Sequence, residues 1–162
     1  MSKKHWWALG LFVAAIVALD QITKALTVAH IPLGEEIPLI PEVLRLTYVR
    51  NTGAAFSMLG GARWFFLVLV VVFLAGEAWL IKKKILTNPV ELWALAAVTG
   101  GAIGNAIDRA LTGEVVDMIE PLFVKFAVFN VADCFITCGA ILLAVYVLFF
   151  DRKKESGTGN KE

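Results

Sequence analysis

The chain has 162 residues, is 59% hydrophobic and carries a formal net charge of +1; its mean hydropathy is +0.75. A water-soluble domain of this length would hold fewer apolar and more charged side chains, and the near-neutral balance leaves no electrostatic footprint for a nucleic-acid partner. Stretches of about 20 apolar residues span a bilayer. Such stretches fill most of the chain, which leaves no room for a second domain. The expected fold is a single, mainly α membrane domain over residues 1–162, with four transmembrane helices and a small extracytoplasmic β platform and loop.

Span one covers about Trp7 to Leu26, after Lys3 and Lys4. Its basic-then-apolar start has the look of a secretory signal. The apolar run is long, Asp20 and Lys24 follow it directly, and no small-residue cleavage site precedes them, so a retained span is expected. Asp20 and Lys24 sit four apart with the acid first, the favourable order for a helical ion pair. The pair reads equally as a device that lets both charges tolerate the interface and as a brace for a site at the outer surface.

From Thr27 to Arg63 the chain is expected to leave the membrane, because Pro32, Pro38 and Pro41 break helix. EVLRLTYVRN then alternates. Leu44, Leu46, Tyr48 and Arg50 face one way, and Val43, Arg45, Thr47, Val49 and Asn51 the other. That period of two argues a half-exposed strand, with which the preceding run can pair as a hairpin. The small residues of NTGAAFS (Asn51–Ser57) read locally as a turn, in which Asn51 offers both a donor and an acceptor.

Span two covers about Arg63 to Ile81, with Glu77 expected to snorkel toward the end marked by Lys82, Lys83 and Lys84. Span three covers about Leu92 to Leu111. Its Ala96, Gly100 and Gly104 recur every four residues, a stripe that lets membrane helices pack backbone to backbone. Asn105, Asp108 and Arg109 follow near its outer end. The segment Thr112–Asn130 is expected outside, with VVDMI and FVKFAVF reading as short strands or an interfacial stretch. Span four covers about Val131 to Phe150, with Cys134 and Cys138 as small packing residues, and residues 151–162 read as a solvated, disordered tail. Lys3, Lys4, Lys82–Lys84 and Arg152–Lys154 fall on one side, which the positive-inside rule makes cytoplasmic, together with both termini. All five tryptophans fall near span ends, as an aromatic belt requires. This topology gathers Asp20, Asn51, Asn105, Asp108, Asp117 and Asp133 at the outer side.

Ionisable groups near membrane spans are functional candidates by default. The histidines, His5 and His30, are distant in sequence from this group, which counts against a Ser-His-Asp arrangement. No metal-ligand spacing is present. Ser57 with Lys24 is a conceivable serine-lysine pair, but Lys24 already has Asp20. What remains is a carboxylate pair, in which one aspartate keeps a proton as acid and the other activates water as base. That chemistry serves peptide hydrolysis with no cofactor and no metal. Of the four acids, Asp108 beside Arg109 reads as part of a structural charge network and Glu120 as a solvated acid. Asp117 and Asp133 bracket the loop and are preferred. Asn130 is placed as the N-cap of span four and Asp133 at N3, where a capping-box role reads equally well. The helix dipole favours the ionised form there. Asp133 is thus expected as the resting base and Asp117 as the protonated acid, in a pair that titrates as a unit. Two other readings compete. One is a small membrane carrier for lipid or peptide, in which internal repeats are common, though none is visible here. The other is a rhomboid-like serine protease on Ser57, which lacks a partner base.

Five blocks carry a resemblance: DQITK (Asp20–Lys24), NTGAAFS (Asn51–Ser57), GGAIGNAIDR (Gly100–Arg109), VVDM (Val115–Met118) and FNVAD (Phe129–Asp133). In this order they resemble the motifs of the lipoprotein signal peptidase (signal peptidase II) family, over nearly the whole chain. The resemblance implies an aspartic endopeptidase of the bacterial cytoplasmic membrane that cuts prolipoproteins just before the diacylglyceryl-modified cysteine. It implies catalytic roles for Asp117 and Asp133. It implies dyad support or substrate contact for Asp20, Lys24, Asn51, Gly101, Asn105, Asp108, Arg109 and Asn130. It also implies prolipoprotein and membrane lipid as partners, a monomer, and a site near the outer leaflet. The loop between the two aspartates is short beside the family pattern, which bears on the shape of a lid.

Overall fold

A computed structural model of the chain describes residues 2–53 and 60–151. Among these, four helical segments are long and apolar enough to cross a membrane: α1 (Lys3–His30), α2 (Arg63–Lys82), α3 (Pro89–Leu111) and α4 (Val131–Tyr146) with its continuation to Phe150. A π-helical turn, Val147–Asp151, continues α4. Strands β1 (Glu36–Ile40), β2 (Leu44–Asn51) and β3 (Val115–Pro121) form an antiparallel sheet in that order. This is the mainly α architecture with a small β platform that the sequence implies. The readings of Ser57 and of a disordered tail fall outside the described residues.

The central helix is α3. Its start is fixed by a capping box: the Asn88 side chain accepts from Val90 N–H, the Glu91 side chain accepts from Asn88 N–H, and Pro89 opens the first turn. Glycines then let neighbouring helices close on it. A Cβ at Gly100 would lie 2.8 Å from Ile16 Cβ and one at Gly104 2.5 Å from Asp20 Oδ2, so the small-residue stripe faces α1. A Cβ at Gly101 would run into the Ala132 carbonyl, and one at Gly139 would lie 2.7 Å from the Ala94 carbonyl, so α4 is packed backbone to backbone. Away from the sheet the core is apolar, with Leu9, Leu92 and Ala96 at its centre. At the sheet end the buried residues turn polar: Asp20, Lys24, Asn105, Asp108, Asp117 and Asn130.

Helix α2 has no buried residue and packs principally on α3. The Thr99 hydroxyl donates to Glu77 Oε2 at 2.6 Å. Glu77 is therefore held by a neighbouring helix and does not snorkel. A hydroxyl donor inside the bundle satisfies a carboxylate oxygen where water is scarce. Helix α1 runs to His30, past the expected end of its span, because nothing breaks it before Pro32.

The strands correct three further expectations. β2 does not alternate along its full length. Leu46 pairs with Ile119 and Val49 with Asp117, so β2 holds one extra residue between these points, a β-bulge. Thr47 and Tyr48 are both buried as a result. Directly opposed residues share a face, so the bulge puts Val49 and Asn51 on the face of Leu46 and of Asp117. The second correction concerns FVKFAVF, which forms no strand. Only Phe129 pairs with β3, exchanging backbone hydrogen bonds with Ile119 at 2.8 and 3.0 Å. Glu120 lies in β3 opposite Arg45 and binds its guanidinium at 2.7 and 2.9 Å, so it is a cross-strand ion-pair partner and not a solvated loop acid.

The packing predicts a contrast between two helical glycines. Gly139→Ala should lower stability by about 1–3 kcal/mol, because the added methyl group meets backbone that cannot rotate away. Gly76→Ala, with nothing within 4 Å of the new atom, should be neutral or stabilising by up to about 1 kcal/mol. Thermal unfolding midpoints of the two variants in one detergent check this.

Candidate active site

The site is built outward from one ammonium group. Lys24 is 3% exposed. Its Nζ meets Asp20 Oδ2 at 2.9 Å, Asp108 Oδ2 at 2.9 Å and Asn105 Oδ1 at 2.8 Å. A lysine has three donors, and all three are used. The i,i+4 pair expected from the sequence is present, and it serves as part of a network joining α1 to α3. Asp20 uses its other oxygen to accept the Ala132 N–H of α4 at 3.0 Å. A carboxylate at a helix N-terminus satisfies an orphan donor and complements the dipole. Asp108 also accepts from Gln21 Nε2 at 2.9 Å and from Val116 N–H at 3.3 Å, which ties β3 to the same cluster.

Two carboxamides carry this order to Asp117 and Asp133. Asn105 Oδ1 accepts from Lys24 and from Asn130 Nδ2 at 3.1 Å, so its Nδ2 is turned to Asp133 Oδ1 at 2.8 Å. Asn130 is the N-cap of α4, and its Oδ1 accepts the Asp133 N–H at 3.0 Å. Its Nδ2 is thereby turned to Asp117 Oδ1 at 2.6 Å. The capping box is reciprocal, because Asn130 N–H donates to Asp133 Oδ2 at 3.2 Å. Asp117 Oδ2 accepts from Asn51 Nδ2 at 3.0 Å, the contact that the β2 bulge makes possible. Each of the two carboxylates thus has both oxygens held by donors whose own orientation is fixed. Asp133 is at once the capping acid and a member of the cluster.

Asp117 and Asp133 line one cavity of about 490 Å³ with Asn51, Asn105 and Arg109. The loop Phe126–Phe129 and, along α4, Cys134, Thr137 and Cys138 line it too. Arg109 donates to the Gly53 carbonyl at 2.7 Å and to the Asn105 carbonyl at 3.4 Å, and its guanidinium lies 4.6 Å from the centre of the Phe66 ring. It anchors the end of β2 and the start of α2 to α3. Burial pushes the Asp117 carboxyl up to about 6, Asn51 opposes that by hydrogen bonding the charged form, and neighbouring Asp133 reinforces it.

All ten residues singled out in the sequence fall at this end of the bundle. Gly101 is the one that touches the others through packing alone, as the seat for the α4 backbone. Gln21 was missed. It bridges Asp20, Asp108 and the Gly104 carbonyl. The signal that could have found it is its place as the single carboxamide of α1, three residues from Lys24 on the same face. The cysteines, read as packing residues, form cavity wall.

Removing the central cation should be costly. Lys24→Met leaves the buried Asp20 and Asp108 carboxylates without their shared cation, and the expected loss is about 3–5 kcal/mol. A thermal melt in detergent near neutral pH checks it, and a midpoint within a degree or two of wild type would be the contrary result.

Residues 12–149 match the protein family described as Signal peptidase (SPase) II. The chain is 46% identical over 144 residues to the lipoprotein signal peptidase of Brevibacillus brevis, covering 89% of this chain and 96% of that protein. It is 43% identical over 143 residues to the lipoprotein signal peptidase of Streptococcus pyogenes serotype M5, covering 88% and 93%. A solved bacterial membrane enzyme structure, determined by the in meso method at 2.3 Å, superposes with a TM-score of 0.85 at 34% identity, covering 96% of this chain and 93% of that one. A second, at 1.9 Å, gives 0.80 at the same 34% identity, covering 88% and 94%. With a family match over most of its length, relatives above 40% identity and four membrane-crossing helices, the chain belongs to the signal peptidase II family and is a multi-pass membrane peptidase.

Proposed function

We propose that this peptidase removes signal peptides from prolipoproteins in the bacterial cytoplasmic membrane, cutting before the diacylglyceryl-modified cysteine, with Asp117 and Asp133 as its catalytic pair. The observation that carries the reading is that these two carboxylates, from β3 and α4, line a single cavity with every oxygen held by a positioned donor. The relatives' name supplies the substrate class. Asp133 takes a proton from water as the water oxygen attacks the scissile carbonyl carbon. Asp117 gives its proton to the carbonyl oxygen. The tetrahedral intermediate collapses as a proton passes to the departing amide nitrogen, and the pair regains its starting state. The positive end of α4 faces Asp133, which favours Asp133 as the charged partner at rest.

The scissile segment must be extended, because a helical carbonyl is hydrogen-bonded and shielded. β3 carries Asp117 and borders the cavity, so its outer edge on the Asp117 side of the Ile119–Phe129 pairing can align the substrate backbone by strand addition, with Phe126–Phe129 closing over it. The basic residues Lys3, Lys4 and Lys82–Lys84 lie at the end of the bundle away from the sheet. By the positive-inside rule they support a reading in which that end and both termini are cytoplasmic and the cavity lies near the outer leaflet.

Asp117→Asn and Asp133→Asn should each cut cleavage of a diacylated prolipoprotein by about 10³-fold or more. Asp117→Asn should fold and melt at or above wild type at pH 8. The folded-state value of Asp117 is raised from 3.8 to about 6, so its stabilising contribution is complete below the unfolded value and is lost as pH rises through about 6. The charged form then costs the folded state up to about 3 kcal/mol, which the amide does not. Near-normal turnover in either variant would remove that aspartate from the chemistry.

The pH profile gives a separate check. The alkaline limb of kcat/KM in wild type should reflect loss of the shared proton at about 6 or above, well past the range of an ordinary aspartate pair. Asn51→Leu removes a hydrogen bond to the charged form, so the limb should move to higher pH while the rate falls. A limb that moves down would contradict the assignment of Asp117 as the acid.

A further inference from the structure

The cavity has a second reactive feature, in the part of α4 that follows Asp133. Cys134 and Cys138 are the two cysteines of the chain; both are free thiols and both line the cavity. Four residues apart, they lie on one helix face. Cys138 sits about 7.5 Å along the axis from Asp133, at 1.5 Å of rise per residue. Cys134 is half-buried, and its Sγ donates to the Asn130 carbonyl at 3.4 Å. Cys138 is exposed. Phe126, Ala127, Val128 and Phe129 line the same cavity.

We propose that Cys138 is a covalent modification site inside the peptidase cavity, that it takes apolar α,β-unsaturated carbonyl compounds, and that the adduct blocks entry of the peptide substrate. This rests on the reading of the cavity as the substrate's. The reaction is a conjugate addition. The thiol sulfur bonds to the β-carbon, the π pair moves to the α-carbon, and the proton given up by the thiol ends on that carbon. One S–H bond is lost, one C–S and one C–H bond form, nothing leaves and no oxidant is consumed.

Three observations select this site and this ligand class. Exposure separates the two thiols, since Cys138 can be approached from the cavity while Cys134 is half-buried against the Asn130 carbonyl. The apolar lining of the cavity draws in apolar electrophiles, because burying their surface there is favourable. The adduct would stand in the space of about 490 Å³ that the substrate must also enter.

The test treats the purified full-length protein in detergent with N-ethylmaleimide, maps adducts by peptide mass, and follows cleavage of a diacylated prolipoprotein. Cys134→Ser and Cys138→Ser are run in parallel, each against its own untreated rate. The expected result is one adduct, at Cys138, with turnover reduced by about tenfold or more in wild type and in Cys134→Ser. Cys138→Ser should keep its own untreated rate. Excess diacylated lipopeptide should slow alkylation of Cys138 several-fold. Failure to label Cys138, or a labelled protein with undiminished turnover, would overturn the proposal. The mapping and the protection need no turnover. A preparation that cleaves nothing yet is labelled at Cys138 and protected by lipopeptide would fault the proposed function and leave this site standing. Labelling that lipopeptide does not slow would overturn the site.

Discussion

The Lys24 ammonium is the contact on which the rest of the site depends. A charge buried this deeply is tolerable only if its donors are all met, and here they are met by Asp20, Asp108 and Asn105. Those partners lie on α1 and α3, so one side chain fixes the mutual height of two helices. Asp20 extends the constraint to α4 through the Ala132 N–H. The close approach this needs is possible because Gly104 leaves room for the Asp20 carboxylate and Gly101 for the α4 backbone. Packing and electrostatics impose the same geometry.

Amide orientation then carries that geometry to the proposed catalytic pair. A carboxamide can point either end at a carboxylate, and only the NH₂ end is favourable. Lys24 occupies the oxygen end of Asn105, and the Asp133 N–H occupies the oxygen end of Asn130. Neither side chain is left a choice, so both present donors to the acids. Asn130 is 0% exposed and touches both Asp117 and Asp133, which makes the start of α4 the hinge of the site. On the sheet side the same role falls to the β2 bulge. Without the extra residue Asn51 would face away from Asp117.

What the sequence made legible was mostly local. The span positions, the Asp20–Lys24 pair and the capping role of Asn130 with Asp133 follow from spacing rules that act within one or two helical turns. The five motif blocks added the site residues as a set. Most of the misses are contacts between distant segments. Glu77 meets Thr99 across a helix interface. Glu120 meets Arg45 across a sheet, and Gln21 joins α1 to α3. The bulge is of the same kind. β2 reads as an even alternation, and the extra residue shows only when β3 is laid beside it. The cysteines looked like packing because a small apolar side chain is correct for a helix interface and equally correct for the wall of an apolar cavity.

The charge balance at this end of the bundle gives a reason why a proton should stay with the proposed pair. Four aspartates (Asp20, Asp108, Asp117 and Asp133) meet two cations, Lys24 and Arg109. Lys24 is shared between Asp20 and Asp108 and is already outnumbered. Arg109 spends its hydrogen bonds on the carbonyls of Gly53 and Asn105 and lies over Phe66, so it lends the cavity positive potential without a direct carboxylate partner. Two full negative charges on Asp117 and Asp133 would therefore face each other with amide dipoles as their main compensation. An amide donor carries no net charge, so it offsets a carboxylate less than a cation in contact does. Keeping one proton removes the larger part of that penalty, and burial of Asp117 gives the proton a place to stay. The arrangement that withholds a neutralising cation from the pair is thus the same one that equips it for acid and base work in a single step.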